Sequence, residues 1–376
     1  MQYDVIVLGV GGMGGAALWR LAQRGVKVLG LEQFDVAHDR GSSHGATRLI
    51  RRAYFEHPDY VPLVDRAYAL WSELEAAASR KLLHRCGLML AGEPNGAVIG
   101  GVERAAREHQ LKIETVPRAD WSARFPALQI DPAMRVLYEP DAGFLEVENC
   151  VRAHVELACA AGATILTRER VIDWFADRTG ARVTTDRASF AARHLLICGG
   201  GWTGALLSSL RLPLSIRRKT VSWFADPQQA YAHARGCPVF GFESCGGFYY
   251  GFPAIDALGV KVSDHAGGDA VADPDVLDRV VHENDDEPLR RFVQRHLPRL
   301  STTITQRSVC MYTMTPDEHF IVDRHPQYPQ VLYACGFSGH GFKFAPVIGA
   351  VLADWVTEGE TSYPIDFLRA SRRSLQ

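Results

Sequence analysis

Residues 4–34 read DVIVLGVGGMGGAALWRLAQRGVKVLGLEQF. An apolar β-branched run, Val5 to Leu8, leads into glycines. Apolar residues at helical spacing follow from Met13 to Arg24, Gly25 stops them, and a second apolar run, Val26 to Leu31, ends at Glu32. This predicts strand, turn, helix and strand. Gly9, Gly11 and Gly14 fill the positions of a GxGxxG turn. The first glycine allows the tight turn, the second lets backbone approach a pyrophosphate, and the third lets helix and strand pack closely. Phosphates at the helix N-terminus meet free N–H groups and the favourable end of the dipole. Glu32, 18 residues past Gly14, stands where a carboxylate accepts ribose hydroxyls. The unit specifies a dinucleotide and leaves NAD and FAD both open.

Two further stretches repeat part of this scheme. "LLICGGG" (195–201) is a buried strand running into glycines, and "VLYACGFSGHGFKFAPVIGAVLADWV" (331–356) is strand, glycine-rich turn and helix. Helical patterns also cover Tyr60–Ala77 and Asn95–Glu108, with "HRCGLMLAG" (84–92) as a strand between them. Residues 144–167 read as a helix and then a strand, and 171–201 as a meander. The expected class is α/β (α+β overall). A discontinuous Rossmann-like nucleotide domain takes 1–84, 144–214 and 321–376, and an antiparallel-sheet domain takes 85–143 and 215–320. Alternating runs such as "VSWFAD" and "GFYYGF" suit that second sheet.

The 376 residues are 47% hydrophobic and 22% charged, enough for two cores. A net charge of −2 offers no general field for nucleic acid or an anionic membrane. Eight cysteines show neither CxxC nor zinc-type spacing, so no metal is expected. No basic leader opens the chain, and no run reaches the roughly 20 apolar residues of a membrane span. A soluble cytoplasmic protein with free thiols is the expectation.

Four stretches carry candidate chemistry. "GSSHGATRLIRRAY" (41–54) gathers His44, Arg48, Arg51 and Arg52 in a small-residue loop, either a solvated basic loop or a fork for an anion. "YYGFPAIDALGVKVSDH" (249–265) sets Lys261 between Val260 and Val262, with Tyr250 and His265 nearby. That lysine either snorkels to solvent or faces a reaction centre. "GFSGHGFKF" (336–344) puts Lys343 at a helix start, a position electrostatically unfavourable unless it meets an anion. In "RSVCMYTMTPDEHFIVD" (307–323), Cys310 is either a core residue or a reactive thiol.

In this order and over Tyr3 to about Arg369, these motifs resemble the monomeric sarcosine oxidase and N-methyltryptophan oxidase family of FAD-dependent amine oxidases. The resemblance implies a two-domain glutathione-reductase-like fold, usually monomeric, with FAD joined covalently by a thioether from Cys310 to the flavin 8-methyl group. It implies that Arg48 and Lys343 clamp the carboxylate of a secondary amino acid. Lys261 then promotes electron transfer to O2, and Tyr250 and His265 tune amine binding. His44 and Arg51 lie beside the flavin, Tyr312 near its attachment, and Val171 and Gly339 among the cofactor contacts. The implied reaction makes an imine, hydrolysed to aldehyde and amine, with H2O2 released. A same-fold dehydrogenase using another electron carrier and a catalytically silent flavoprotein are the rival readings. The chain departs from the family pattern at Ser43 and Ala46, where well-known members have histidine and aspartate. It also departs at Gly241, where sarcosine oxidase has methionine. The missing side chain predicts a larger pocket and a substrate larger than sarcosine.

Overall fold

A computed structural model describes residues 2–244 and 246–375. Cys245 therefore lies outside the described residues; the other seven cysteines are all free.

The strand Tyr3–Leu8 is the centre of the first sheet. Val28–Leu31 and then Thr164–Leu166 follow on one side, Ser189–Ile197 and then Val331–Cys335 on the other, all parallel. Being covered on both faces, these strands are almost continuously apolar. Ile321–Arg324 adds an antiparallel edge. The hairpin Val171–Asp177/Gly180–Thr185 joins the first half of Ser189–Ile197, as the meander reading expects. Helices Gly12–Gln23 and Ala345–Thr357 cross at glycine: a Cβ on Gly349 would stand 2.7 Å from the Ala16 backbone.

The second sheet has nine strands. It takes Leu88–Gly92 and Arg135–Glu139 from the earlier part of the chain, and Ser215–Phe224, Val239–Ser244, Gly247–Phe252, Val260–Asp264 and Ile304–Met314 from the later part. It is not wholly antiparallel, because Val239–Ser244 runs parallel to Leu88–Gly92. Strand alternation divides its residues between two faces. Phe240, Phe242, Tyr249, Val260 and Val262 pack with Phe292 of the helix Glu283–His296 in one core. The pairings Gly241↔Tyr250, Glu243↔Phe248, Phe252↔Lys261, Trp223↔Lys261 and Lys219↔Cys310 put the candidate residues on the opposite face.

Element boundaries differ from the sequence reading in places: Thr47–Ile50, read as part of the loop 41–54, is a strand. The run 84–92 breaks at Gly87, whose φ is +79° and where a Cβ would collide with Tyr138. Leu83–Arg85 consequently joins a small sheet with Gly143–Glu146 and Thr47–Ile50, while Leu88–Gly92 joins the large one. Residues 144–146, read as helix, belong to the strand Gly143–Glu146, and the helix begins at Val147.

Candidate active site

A cavity of about 910 Å³ opens between the glycine-rich ends of the first sheet and the candidate face of the second. This lies in the upper range for small-molecule and cofactor sites.

At one end lie Gly9, Gly11, Gly12, Glu32 and Val171. Gly9 has φ +85°, and a Cβ there would stand 2.5 Å from the Cys198 carbonyl. A Cβ on Gly14 would run into the carbonyl of Gly9, so glycine is what lets the helix sit against the turn. Beside Gly11 the nearest atom is the Ser43 hydroxyl at 3.5 Å, leaving room for a ligand. Ser43 also accepts the Gly12 N–H at 3.2 Å. The N-cap is Gly11 and brings no side chain of its own, so the remaining N-terminal donors suit an anion. Glu32 accepts the N–H groups of Val10 (2.8 Å) and Phe34 (3.0 Å), with His38 at 3.3 Å. Burial works against its charge, but His38 and the two N–H groups outweigh it and hold the carboxyl below its usual range.

Across the cavity the loop 41–48 bends through Ala46, at φ +64°, with the N–H groups of Gly45 and Ala46 donating to Glu148. Arg48 donates to the carbonyls of Thr47 and Ser42 at 2.9 Å each and stands 3.6 Å from the Cys310 sulfur. Cys310 is 3% exposed. Burial pushes its thiol up, but His44, Arg48 and the Met311 N–H outweigh burial and bring it down to about 7. A lowered thiol pKa is one of the conditions that thiolate chemistry requires. Burial raises the other buried thiols, Cys198 to about 12.

Lys261 donates to the carbonyls of Gly45 (2.8 Å) and Thr47 (2.6 Å), its ammonium 4.3 Å from the Phe252 ring centre. Burial and then Arg48 drive its pKa well below the ordinary lysine value. It neither snorkels nor opens on the cavity: it is held behind the loop and is absent from the cavity lining. His44 is likewise set back, beside Ser308 at 3.4 Å. Cys310 and Gly14 also lie just behind the lining, whereas Tyr250, His265, Tyr312, Gly339 and Lys343 line it. The Tyr250 and Tyr312 hydroxyls are 3.4 Å apart. Burial lowers His265 to about 4, keeping it neutral near pH 7.

Arg48, Arg51 and Lys343 all line the cavity, and the two arginines have different neighbours. Arg48 has Cys310, Tyr250, Tyr312, Glu148 and Lys261 as its charged or ionisable neighbours. The guanidinium that bears on Lys343 belongs to Arg51. Arg51 grips Glu56 with two hydrogen bonds (2.7 and 2.6 Å) and lies over the rings of Tyr54 and Phe55. Lys343 donates to the His340 carbonyl at 2.7 Å, and burial together with Arg51 lowers it to about 7. Glu56 is held at about 2: burial opposes its charge, and Arg51, His340 and Lys343 overcome burial. Sequence reasoning missed Glu56, although it lies five residues after Arg51. It also passed over Tyr54 and His340, which hydrogen-bond each other under Lys343, and Lys219, opposite Cys310.

Gly241 does not enlarge the cavity. A Cβ there would lie 2.7 Å from the Phe248 ring and 2.8 Å from Leu90, so those side chains already fill the space.

A parallel sheet ending in a glycine turn, with a carboxylate on the next strand and buried cations across the cleft, defines a dinucleotide-dependent oxidoreductase. The family model of the FAD dependent oxidoreductases (DAO) matches residues 4–355, and the chain belongs to that family. It is 41% identical to monomeric sarcosine oxidase of Streptomyces avermitilis over 369 residues, 96% of each chain. It is 34% identical to N-methyl-L-tryptophan oxidase of Salmonella dublin over 377 residues, the whole of both. Among solved structures, NikD, an unusual amino acid oxidase essential for nikkomycin biosynthesis, superposes with a TM-score of 0.87 at 25% identity. That match covers 98% of this chain and 97% of the other. The open side of Gly11, the Glu32 carboxylate and the helix start at a glycine N-cap fit FAD.

Proposed function

We propose that the protein oxidises a secondary amino acid, N-methylated or cyclic, to an imine that water hydrolyses to an aldehyde and a primary amine, with O2 reduced to H2O2. The observation that carries this reading is the cation set at the aromatic end of the cavity, Arg51 and Lys343 beside Tyr250, His265 and Tyr312. Two cations in one buried wall suit a carboxylate. An arriving carboxylate favours the charged form of Lys343, whose burial otherwise brings it near neutrality. Arg48, the arginine implied by resemblance, lines the same cavity and stands 3.6 Å from the Cys310 sulfur. The amine must bind unprotonated, and neutral His265 with Tyr250 offers it polar contacts without a competing positive charge. Bound FAD supplies the two-electron chemistry. Lys261 stands behind the loop 41–48, and in its protonated form it favours anionic products of oxygen reduction.

Cys310 is, in this reading, the residue of covalent attachment, supported by the acidity that His44 and Arg48 confer on it. The segments 1–84, 144–214 and 321–376 act as the FAD domain, and 85–143 with 215–320 as the substrate domain. The protein works as a cytoplasmic monomer. No helix of the described residues is long and apolar enough to cross a membrane, and relatives at 38–41% identity carry the name monomeric. Oxygen-electrode assay with sarcosine and other N-methyl amino acids tests the activity. Oxygen uptake with equimolar H2O2 is the expected result; flavin reduction that needs an added dye as acceptor overturns the oxidase reading.

A further inference from the structure

Gly241 lies on the site face of the second sheet, opposite Tyr250 and beside Leu90. It is flanked by residues of normal bulk, and its φ is not in the left-handed region, so backbone geometry does not require glycine there. Contact does. Two Phe248 ring carbons would lie 2.7 and 2.9 Å from any Cβ. The Phe248 ring is thus laid back over bare backbone. Its other side faces the cavity, meeting the Phe55 ring edge-on at 5.4 Å and 72°. Phe55 in turn lies under the Arg51 guanidinium at 4.2 Å. The aromatic wall is therefore continuous with the cation that the proposed function assigns to the substrate carboxylate.

We infer that Phe248 determines specificity, bounding the space for the substrate's side chain, and that Gly241 sets how far its ring withdraws from the cavity. The wall holds the enzyme to compact secondary amino acids. This inference rests on the proposed function, since it concerns which amino acid that site accepts. A hydrophobic wall of this kind discriminates by size, where each methylene is worth about 10–200-fold.

The test is the ratio of kcat/KM for N-methyl-L-tryptophan to that for sarcosine, measured on flavin-loaded enzyme. Phe248→Ala raises the ratio at least tenfold, and Phe248→Leu, which keeps an apolar filler, raises it less. Gly241→Ala pushes the ring forward and lowers the ratio at least threefold, but changes it less than twofold when Phe248 is already alanine. A purely structural role would depress both substrates together and leave the ratio still. An unmoved ratio in both Phe248 variants, or a Gly241→Ala effect that persists without the ring, overturns the inference while leaving the activity intact. Absence of turnover of any N-methyl amino acid by the unsubstituted enzyme overturns the proposed function itself, and the inference with it.

Discussion

A buried thiol is ordinarily a poor acid, and Cys310 departs from that because His44 and Arg48 face it from the loop 41–48. With the thiol near 7, the thiolate fraction rises as pH climbs through 7 and levels off above. Attachment of FAD to apoprotein should therefore speed up over that interval, and His44→Asn should move the midpoint to higher pH. Cys310→Ala should leave FAD releasable by acid precipitation, with no added mass on the intact chain. Flavin still bonded to that variant would contradict the assignment. Glu56 makes a second residue-scale case. Its folded pKa, about 2, lies below the ordinary carboxylate value. Its contribution to stability is therefore full above the ordinary value and is lost as pH falls toward 2. Glu56→Gln should remove that acid sensitivity and, by leaving Arg51 buried without its partner, cost about 3–5 kcal/mol in chemical denaturation.

Among the elements, the turn between Tyr3–Leu8 and Gly12–Gln23 depends most on one atom. Gly14→Ala sets a methyl against the Gly9 carbonyl. It should cost several kcal/mol and yield protein with little FAD, read from the flavin-to-protein absorbance ratio. A fully loaded Gly14→Ala protein would contradict the packing argument. This unit was legible in sequence because strand, turn, helix and acid are local and each has its own signal. Cys310, Lys261 and Lys343 were legible as chemistry through the motifs around them. The partner of Lys343 was not. Arg48 and Arg51 are three residues apart, one in the strand Thr47–Ile50 and one just past its end, and only tertiary packing directs one to Cys310 and the other to Glu56. The break at Gly87 escaped for a related reason: "HRCGLMLAG" is apolar enough for one strand, and the collision with Tyr138 that demands glycine comes from a strand some 50 residues away. Gly241 misled because an absent side chain implies space only if nothing else moves in.

Over the whole molecule, the first sheet presents a nucleotide cradle and the second presents cations and aromatic rings, and neither holds a complete site alone. Alternation along the strands of the second sheet keeps its apolar core on one face and Cys310, Tyr312, Tyr250 and Lys261 on the other. If Lys261 serves oxygen reduction, Lys261→Met should slow reoxidation of the reduced enzyme by O2 at least tenfold. Anaerobic reduction by substrate should change far less, as stopped-flow absorbance would resolve. Equal slowing of both halves would assign Lys261 to holding the loop through Gly45 and Thr47.

The central claim is that this one cavity takes electrons from a secondary amino acid and delivers them to oxygen. Its most direct test is anaerobic titration of the purified protein with sarcosine and related N-methyl amino acids, followed by admission of air. The account predicts complete bleaching of the oxidised flavin band and then full return of colour with one H2O2 per flavin. A band that no N-methyl amino acid bleaches, or that stays bleached in air until a dye is added, would contradict it.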